Sequence, residues 1–111
     1  MAAAFQVTMT EGVPVFAISG YVDEPLGKAL NQEVSRLLRD GTRNIIFEFS
    51  RCPLINSLGI SQIFEIAIKI TDDFQGILVL VAVPKVVMRV LTLSGVVTQA
   101  KLAANISDAL A

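Results

Sequence analysis

The chain has 111 residues and a mass of 11.9 kDa, and we predict a single domain over residues 1–111. Nine basic and ten acidic residues give a net charge of -1 without a basic cluster, which argues against a nucleic-acid partner. The absence of histidine from the sequence excludes Ser-His and Cys-His nucleophile pairs and histidine metal sites, so we expect neither a cofactor nor common acid-base catalysis.

Hydrophobic residues make up 53% of the chain and the mean hydropathy is +0.64, so a membrane span has to be considered. The longest run without a charge, Cys52 to Phe64, contains polar side chains and is shorter than the roughly 20 apolar residues of a span. Met1 to Thr10 has no basic start and no long apolar run, so no secretory signal is predicted. The single cysteine fits a reducing compartment, and we expect a cytoplasmic protein without membrane insertion.

The first third of the chain predicts a hairpin followed by a helix. Apolar residues alternate over residues 5–9, and a tight turn separates them from a second strand over Val13 to Ser19. Apolar residues then recur at helical spacing, which predicts a helix over residues 25 to 39. Asp23 or Glu24 is expected to cap this helix.

The middle of the chain predicts a central strand and a second helix. The strand covers Asn44 to Phe49, and the helix runs from Asn56-Ser57 to about Asp72. At about 100° per residue, the helix has one polar arc and one arc that we expect to be buried. The polar arc holds Ser61, Gln62, Glu65, Lys69 and Asp72, and the buried arc holds Ile60, Ile63, Phe64, Ala67 and Ile70.

The last third predicts two more strand-helix units. Gly76 to Val83 is the most hydrophobic stretch and predicts a fully buried strand, after which Pro84 opens a helix that ends at Ser94-Gly95. A weak strand at about Val97 to Lys101 and a short helix capped by Asn105 complete the chain. The resulting order, β-β-α-β-α-β-α-β-α, predicts an α/β fold with a mixed sheet covered by helices.

Three short segments of the sequence occur in an order and at a spacing that a known family shares. They are Ile18–Asp23, the strand 45–49 followed by Leu54–Ile60, and Val81–Pro84 followed by Arg89–Leu91 and Leu93–Val96. Together they resemble the STAS domain of sulfate transporters and anti-sigma factor antagonists. The resemblance covers roughly residues 5 to 110.

This resemblance implies a binding module and not a catalyst. In the antagonist branch of the family, an anti-sigma factor kinase phosphorylates a serine at the start of the second helix. The unmodified protein binds that kinase and frees the sigma factor, which is called partner switching. The family pattern Asp-Ser-Ser-Gly aligns without gaps with residues 56–59, so Leu58 occupies the phosphoacceptor position and Ser57 is the neighbouring candidate phosphorylation site.

The residues at the start of the second helix allow more than one role. Asn56 and Ser57 both suit a helix cap, and we favour a simple cap over a modified Ser57. Leu58 lies in the polar arc of the second helix. A leucine at this position is equally compatible with a docking contact to a partner and with incidental exposure of an apolar side chain. Asp23 is favoured as a cap, and the resemblance also places it near the partner surface. The predicted partner-binding residues are Asp23, Leu54, Asn56, Ser57, Leu58 and Gln62.

Two classes of function follow from these observations. The first is a stand-alone regulator that binds an anti-sigma factor or related serine kinase, which the absence of a fused segment favours. The second is a STAS subunit of a transporter, a lipid-transport complex or a stressosome-like assembly. Self-association is compatible with either class. An enzyme that uses Cys52 as its nucleophile is disfavoured, because the sequence offers no histidine to activate the thiol.

Overall fold

A computed structural model describes residues 4–111 and contains one five-stranded sheet. The strands are β1 (Ala4–Thr10), β2 (Val13–Ser19), β3 (Asn44–Arg51), β4 (Ile77–Val81) and β5 (Lys101–Ala103). They lie side by side in chain order, with β1 antiparallel to β2 and all later pairs parallel. Residues 1–3 lie outside the described residues. They are the first residues of Met1 to Thr10, the segment for which no secretory signal is predicted.

Helices connect the parallel strands, because a parallel pair needs a crossover that a short turn cannot supply. The described helices are α1 (Glu24–Arg39), α2 (Ser57–Ile68), α3 (Lys85–Leu93) and α4 (Ile106–Leu110). A π-helical turn, Lys69–Asp73, extends α2, and a 3-10 turn, Val96–Thr98, follows α3. The predicted α/β class and the order of elements are confirmed.

The sheet has a large core on one face and a small one on the other. The large core packs β-strand side chains against α1, α2 and α3, and its centre holds the fully buried rings of Phe16, Phe47 and Phe49. Ring centroids lie 5.1 Å apart for Phe16 and Phe47, a distance at which tilted aromatic rings attract each other. On the opposite face, α4 covers a smaller cluster that includes Val79 and Val81.

The topology brings the starts of α1, α2 and α3 to one edge of the sheet. Each of these helices follows the carboxyl end of β2, β3 or β4, and those three strands are parallel to one another. In open parallel sheets this edge is where loops and helix N-termini converge. The residues of the predicted binding surface therefore have a common location in the fold.

The prediction of a strand at about Val97 to Lys101 is wrong in its bounds. Gly95 adopts the left-handed conformation with φ 88° and ends α3, as predicted. The chain then makes the 3-10 turn, because Val96 is buried and Val97 packs against the large core. β5 begins only at Lys101, where pairing with β4 starts.

Phe64 is also placed differently from the prediction. The side chain is 37% exposed, whereas Ile63, Ile66 and Ala67 fill the buried centre of α2. Phe64 lies on the flank of α2, about 100° around the helix from Ile63. The prediction of a buried Phe64 is therefore wrong, because the apolar surface of α2 is wider than the part of it that the sheet covers.

Strand β4 confirms the predicted buried segment with two modifications. It is shorter than predicted, because Ala82 has φ 53° and leaves the extended conformation. Its first residue, Ile77, is exposed, while the other four residues are buried. Leu80 is 0% exposed and belongs to the large core.

We expect Leu80→Asp to unfold the protein. An unpaired carboxylate at this position would cost at least about 5 kcal/mol, which is comparable to the whole stability of a small domain. The matched control is Ile77→Asp, which introduces the same charge at the exposed end of the same strand. Thermal unfolding followed by circular dichroism would show loss of the native transition for Leu80→Asp only. An unchanged melting temperature for Leu80→Asp would disprove the burial of this side chain.

Candidate functional site

Backbone hydrogen bonds join the segment before α1 to the segment before α2. The Val22 N–H donates to the Leu54 carbonyl at 3.0 Å, and the Asn56 N–H donates to the Val22 carbonyl at 3.0 Å. These two bonds form an isolated parallel bridge between Val22 and Ile55, both of which are buried. The next residues along each segment, Asp23 and Asn56, are thereby brought together at the edge of the sheet.

Side-chain caps define where the two helices begin. The Asn56 Oδ1 accepts a hydrogen bond from the Gly59 N–H at 2.7 Å, and the Asp23 carboxylate accepts one from the Leu26 N–H at 3.1 Å. Asp23 is therefore the cap of α1, and Asn56 is the cap of α2. Ser57 is the first residue of α2 and is exposed.

Two glycines allow close approach at this site. A Cβ at Gly59 would collide with the carbonyl oxygen of Val22, the same oxygen that accepts from Asn56. A Cβ at Gly27 would lie 2.6 Å from the Cβ of Gln62, so α1 and α2 touch at this point. Sequence reasoning missed both packing roles. The available signal was a glycine inside each helix, where glycine costs about 1 kcal/mol relative to alanine.

Polar side chains fill the contact between α1 and α2. The Asn31 Nδ2 donates to the Gln62 Oε1 at 3.2 Å, and the Lys69 Nζ donates to the Asn31 Oδ1 at 2.6 Å and to the Ser35 Oγ at 2.7 Å. Gln62 is half-buried in this network. Among the predicted binding residues, Gln62 is therefore turned toward α1 and lies at the border of the site.

Exposed apolar side chains flank the start of α2. Leu58 is 53% exposed and Leu54 is 45% exposed. Tyr21 is 41% exposed and was not among the predicted binding residues. It directly precedes Val22, whose N–H donates to the Leu54 carbonyl. We call Tyr21, Leu54 and Leu58 the apolar rim. Large apolar side chains grouped on a polar surface are typical of protein interaction sites.

Cys52 lies behind this surface and not on it. Its side chain is 0% exposed, and its Sγ–H donates to the Leu54 carbonyl at 3.6 Å. Burial raises the pKa of the Cys52 thiol, so the reactive thiolate is disfavoured at neutral pH. Within residues 4–111, no group of three or more Cys, Asp and Glu side chains is arranged to hold a metal ion.

The helices between residues 4 and 111 are too short or too polar to cross a membrane.

Comparison with known families decides the assignment. The family model of the STAS domain matches residues 4–109. This chain belongs to the STAS domain family. The resemblance that three short segments indicate is thereby confirmed over nearly the whole chain. A search of curated proteins finds no significant match to this sequence.

Solved structures share the STAS fold of this chain at low sequence identity. An anti-sigma factor antagonist from Mycobacterium paratuberculosis is 23% identical, with 98% of this chain and 92% of that chain covered and a TM-score of 0.81. An anti-sigma-factor antagonist (STAS) domain protein from Planctomyces limnophilus is 16% identical, with 99% and 97% covered and a TM-score of 0.79. The Bacillus cell fate determinant SpoIIAA in its phosphorylated form is 21% identical, with 96% of each chain covered and a TM-score of 0.75.

We expect Asn56→Ala to destabilise the protein by about 0.5–2 kcal/mol, because the Gly59 N–H loses its acceptor at the start of α2. The matched control is Ser57→Ala, which removes a neighbouring polar side chain that is not the cap. Urea denaturation followed by circular dichroism would measure both changes. A larger loss for Ser57→Ala than for Asn56→Ala would show that the cap is assigned to the wrong residue.

Proposed function

We propose that this protein is a non-enzymatic regulator that acts as an anti-sigma factor antagonist. Its partner is an anti-sigma factor of the serine-kinase type, and the contact surface is the start of α2. Family membership and the fold shared with anti-sigma factor antagonists support this proposal. The single cysteine fits a reducing compartment, and we place the protein in the cytoplasm.

The observation that carries the proposal is the apolar rim on a preorganised base. Two backbone bonds, two side-chain caps and the contact at Gly59 hold the segments that present Tyr21, Leu54 and Leu58. A surface that is already ordered loses little conformational entropy when a partner binds. Apolar side chains on such a surface supply binding free energy through burial.

The chemistry of the site favours binding over catalysis. The sequence has no histidine, and burial raises the pKa of the one thiol. The exposed side chains at the helix start include Leu54, Leu58, the phenol of Tyr21 and the hydroxyl of Ser57. These groups suit contact with another protein and provide no acid-base pair.

Leu58 changes how such a regulator is controlled. In the family pattern this position carries the phosphoserine, and a phosphate would add about -1.5 to -2 charges to the surface that the partner has to cover. Leucine offers no oxygen for phosphate transfer, so the usual off-switch is absent at this position. Ser57 is exposed but points about 100° away around the helix. We therefore propose that phosphorylation at this position does not control partner binding, which is set by abundance, by another ligand or not at all.

We expect Leu58→Glu and Ser57→Asp each to weaken partner binding roughly tenfold or more, since each places a charge at the centre of the contact. The control is Lys101→Glu, which changes an exposed residue on β5 at the far end of the sheet. Pulldown with the tagged full chain and mass spectrometry identifies the partner, and isothermal titration calorimetry then measures each affinity.

Equal affinities for all three variants would move the contact surface away from the start of α2. Capture of a permease or a transport ATPase in place of an anti-sigma factor would replace the proposed function with a role in a larger assembly.

We also expect the wild-type protein to resist phosphorylation and Leu58→Ser to accept one phosphate. The substitution restores a hydroxyl at the outward position of the first helical turn, where the helix dipole favours the phosphate charge. Intact-mass spectrometry after incubation with ATP and the captured kinase measures the modification.

Ser57→Ala in the wild-type background is the control for this experiment. A wild-type gain of one phosphate that Ser57→Ala abolishes would show that the switch has moved by one residue. That result would contradict our interpretation of Leu58.

A further inference from the structure

Strand β1 forms one edge of the sheet and presents a row of outward-facing backbone groups. The register pairs Met9 with Pro14 of β2. Proline has no N–H, so these two residues cannot exchange the two hydrogen bonds of a hydrogen-bonded antiparallel pair. The N–H and C=O of Met9 therefore point away from β2. Because the two kinds of pair alternate along an antiparallel ladder, the backbone groups of Phe5 and Val7 also point outward.

The turn between β1 and β2 supports this orientation independently. Glu11 and Gly12 have φ of 52° and 79°, and positive φ at both positions is typical of the two-residue type I′ turn of hairpins. Such a turn is closed by a hydrogen bond between its flanking residues, here Thr10 and Val13. The backbone groups of Thr10 therefore face β2, and those of Met9 face outward.

The two edges of the sheet are built differently. β5, the strand at the other edge, has three residues and begins with Lys101. Short length and a lysine are common ways to keep a strand edge from pairing with another chain. β1 has seven residues, contains no charged residue and no proline, and pairs with β2 without a bulge. Its length and sequence are those of an edge that accepts another strand.

We propose that β1 pairs with β1 of a second copy of this chain, so that two chains form a symmetric dimer with one continuous sheet. A two-fold axis perpendicular to the sheet passes beside Val7 and makes the two strands antiparallel. Val7 then lies opposite Val7 of the second copy, and Phe5 lies opposite Met9. All three outward-facing residues are used, and each directly opposite pair exchanges two hydrogen bonds.

The side chains of β1 suit a second copy of the same strand. Phe5 and Val7 pack against the large core, so Met9 lies on that same face by alternation. Met9 is 59% exposed, and the pairing places its thioether beside the Phe5 ring, a favourable contact. On the opposite face, Gln6 lies opposite Thr8 of the second copy. No residue of β1 carries a charge, so no like charges meet across the axis.

The pairing gives a closed assembly. Once two β1 strands have joined, both remaining edges of the sheet are β5 strands, which are short and begin with Lys101. Growth therefore stops at two copies. The arrangement of Phe5 and Met9 at equal distances on either side of Val7 selects a second copy as the occupant, because the same register satisfies both strands. This inference does not depend on the proposed function, since β1 is not part of the apolar rim.

Sedimentation equilibrium of the full chain over a concentration series tests the dimer. We expect the wild-type mass to rise toward twice the 11.9 kDa of one chain. Gln6→Lys combined with Thr8→Lys places lysine opposite lysine twice in every dimer and should raise the dissociation constant roughly tenfold or more. The matched control is Gln6→Lys combined with Thr8→Glu, which places lysine opposite glutamate and should keep the dimer. Both double variants change exposed side chains only, and circular dichroism confirms that each is folded.

Hydrogen exchange followed by NMR locates the interface. We expect the amides of Phe5, Val7 and Met9 to exchange slowly only at concentrations where the dimer forms. The amides of Gln6 and Thr8 face β2 and should exchange slowly at every concentration. Met9→Pro removes an outward N–H that pairing with β2 does not use, so it should weaken the dimer more than Met9→Ala, which keeps that N–H.

A wild-type mass that stays at one chain up to the highest soluble concentration overturns the proposal. A dimer that forms without slowing the amide exchange of Val7, or that has equal dissociation constants in the two double variants, uses another surface and also overturns it. Slow exchange of these amides in a monomeric chain bound to a co-purifying protein would make that protein the occupant of the β1 edge in place of a second copy.

Discussion

The bridge between Val22 and Ile55 is the contact on which the candidate site depends. Two backbone hydrogen bonds join the segments that enter α1 and α2, and both bridge residues are buried. The bond into Asn56 places the cap of α2, and the missing Cβ of Gly59 leaves room for the carbonyl that accepts it. Exposed side chains beside the bridge therefore have defined positions, although they lie in loops and a first helical turn.

Helix α2 lies between α1 and α3 in the helical layer, and its two flanks differ in character. On the side of α1 the contact is closed by a polar network that includes Asn31 and Lys69. On the side of α3, the Phe64 ring is 37% exposed, and its Cε1 would lie 3.6 Å from a Cβ at Gly95. The flank of α2 toward α1 is therefore a polar contact that stabilises the fold, whereas its flank toward α3 is a partly exposed apolar contact.

Most of the fold could be predicted because strand and helix periods are local properties of the chain. The alternation in the first hairpin, the helical spacing over residues 25 to 39 and the glycine stop at Gly95 all have local causes. The bounds predicted for the last strand, Val97 to Lys101, were wrong, because two consecutive valines suit a strand as well as a turn that packs on a core. Only the neighbouring surface of the large core decides between them.

The sequence by itself determined the fold class, the exclusion of histidine chemistry and the absence of a hydroxyl at position 58, since these depend only on residue identity and spacing. Tertiary structure decided that Asn56 and not Ser57 caps α2, that Tyr21 joins Leu54 at the surface, and that Phe64 is exposed. Each of these outcomes depends on which distant segment covers a side chain or supplies its hydrogen-bond partner. A local pattern does not contain that information, because the covering segment is remote in sequence.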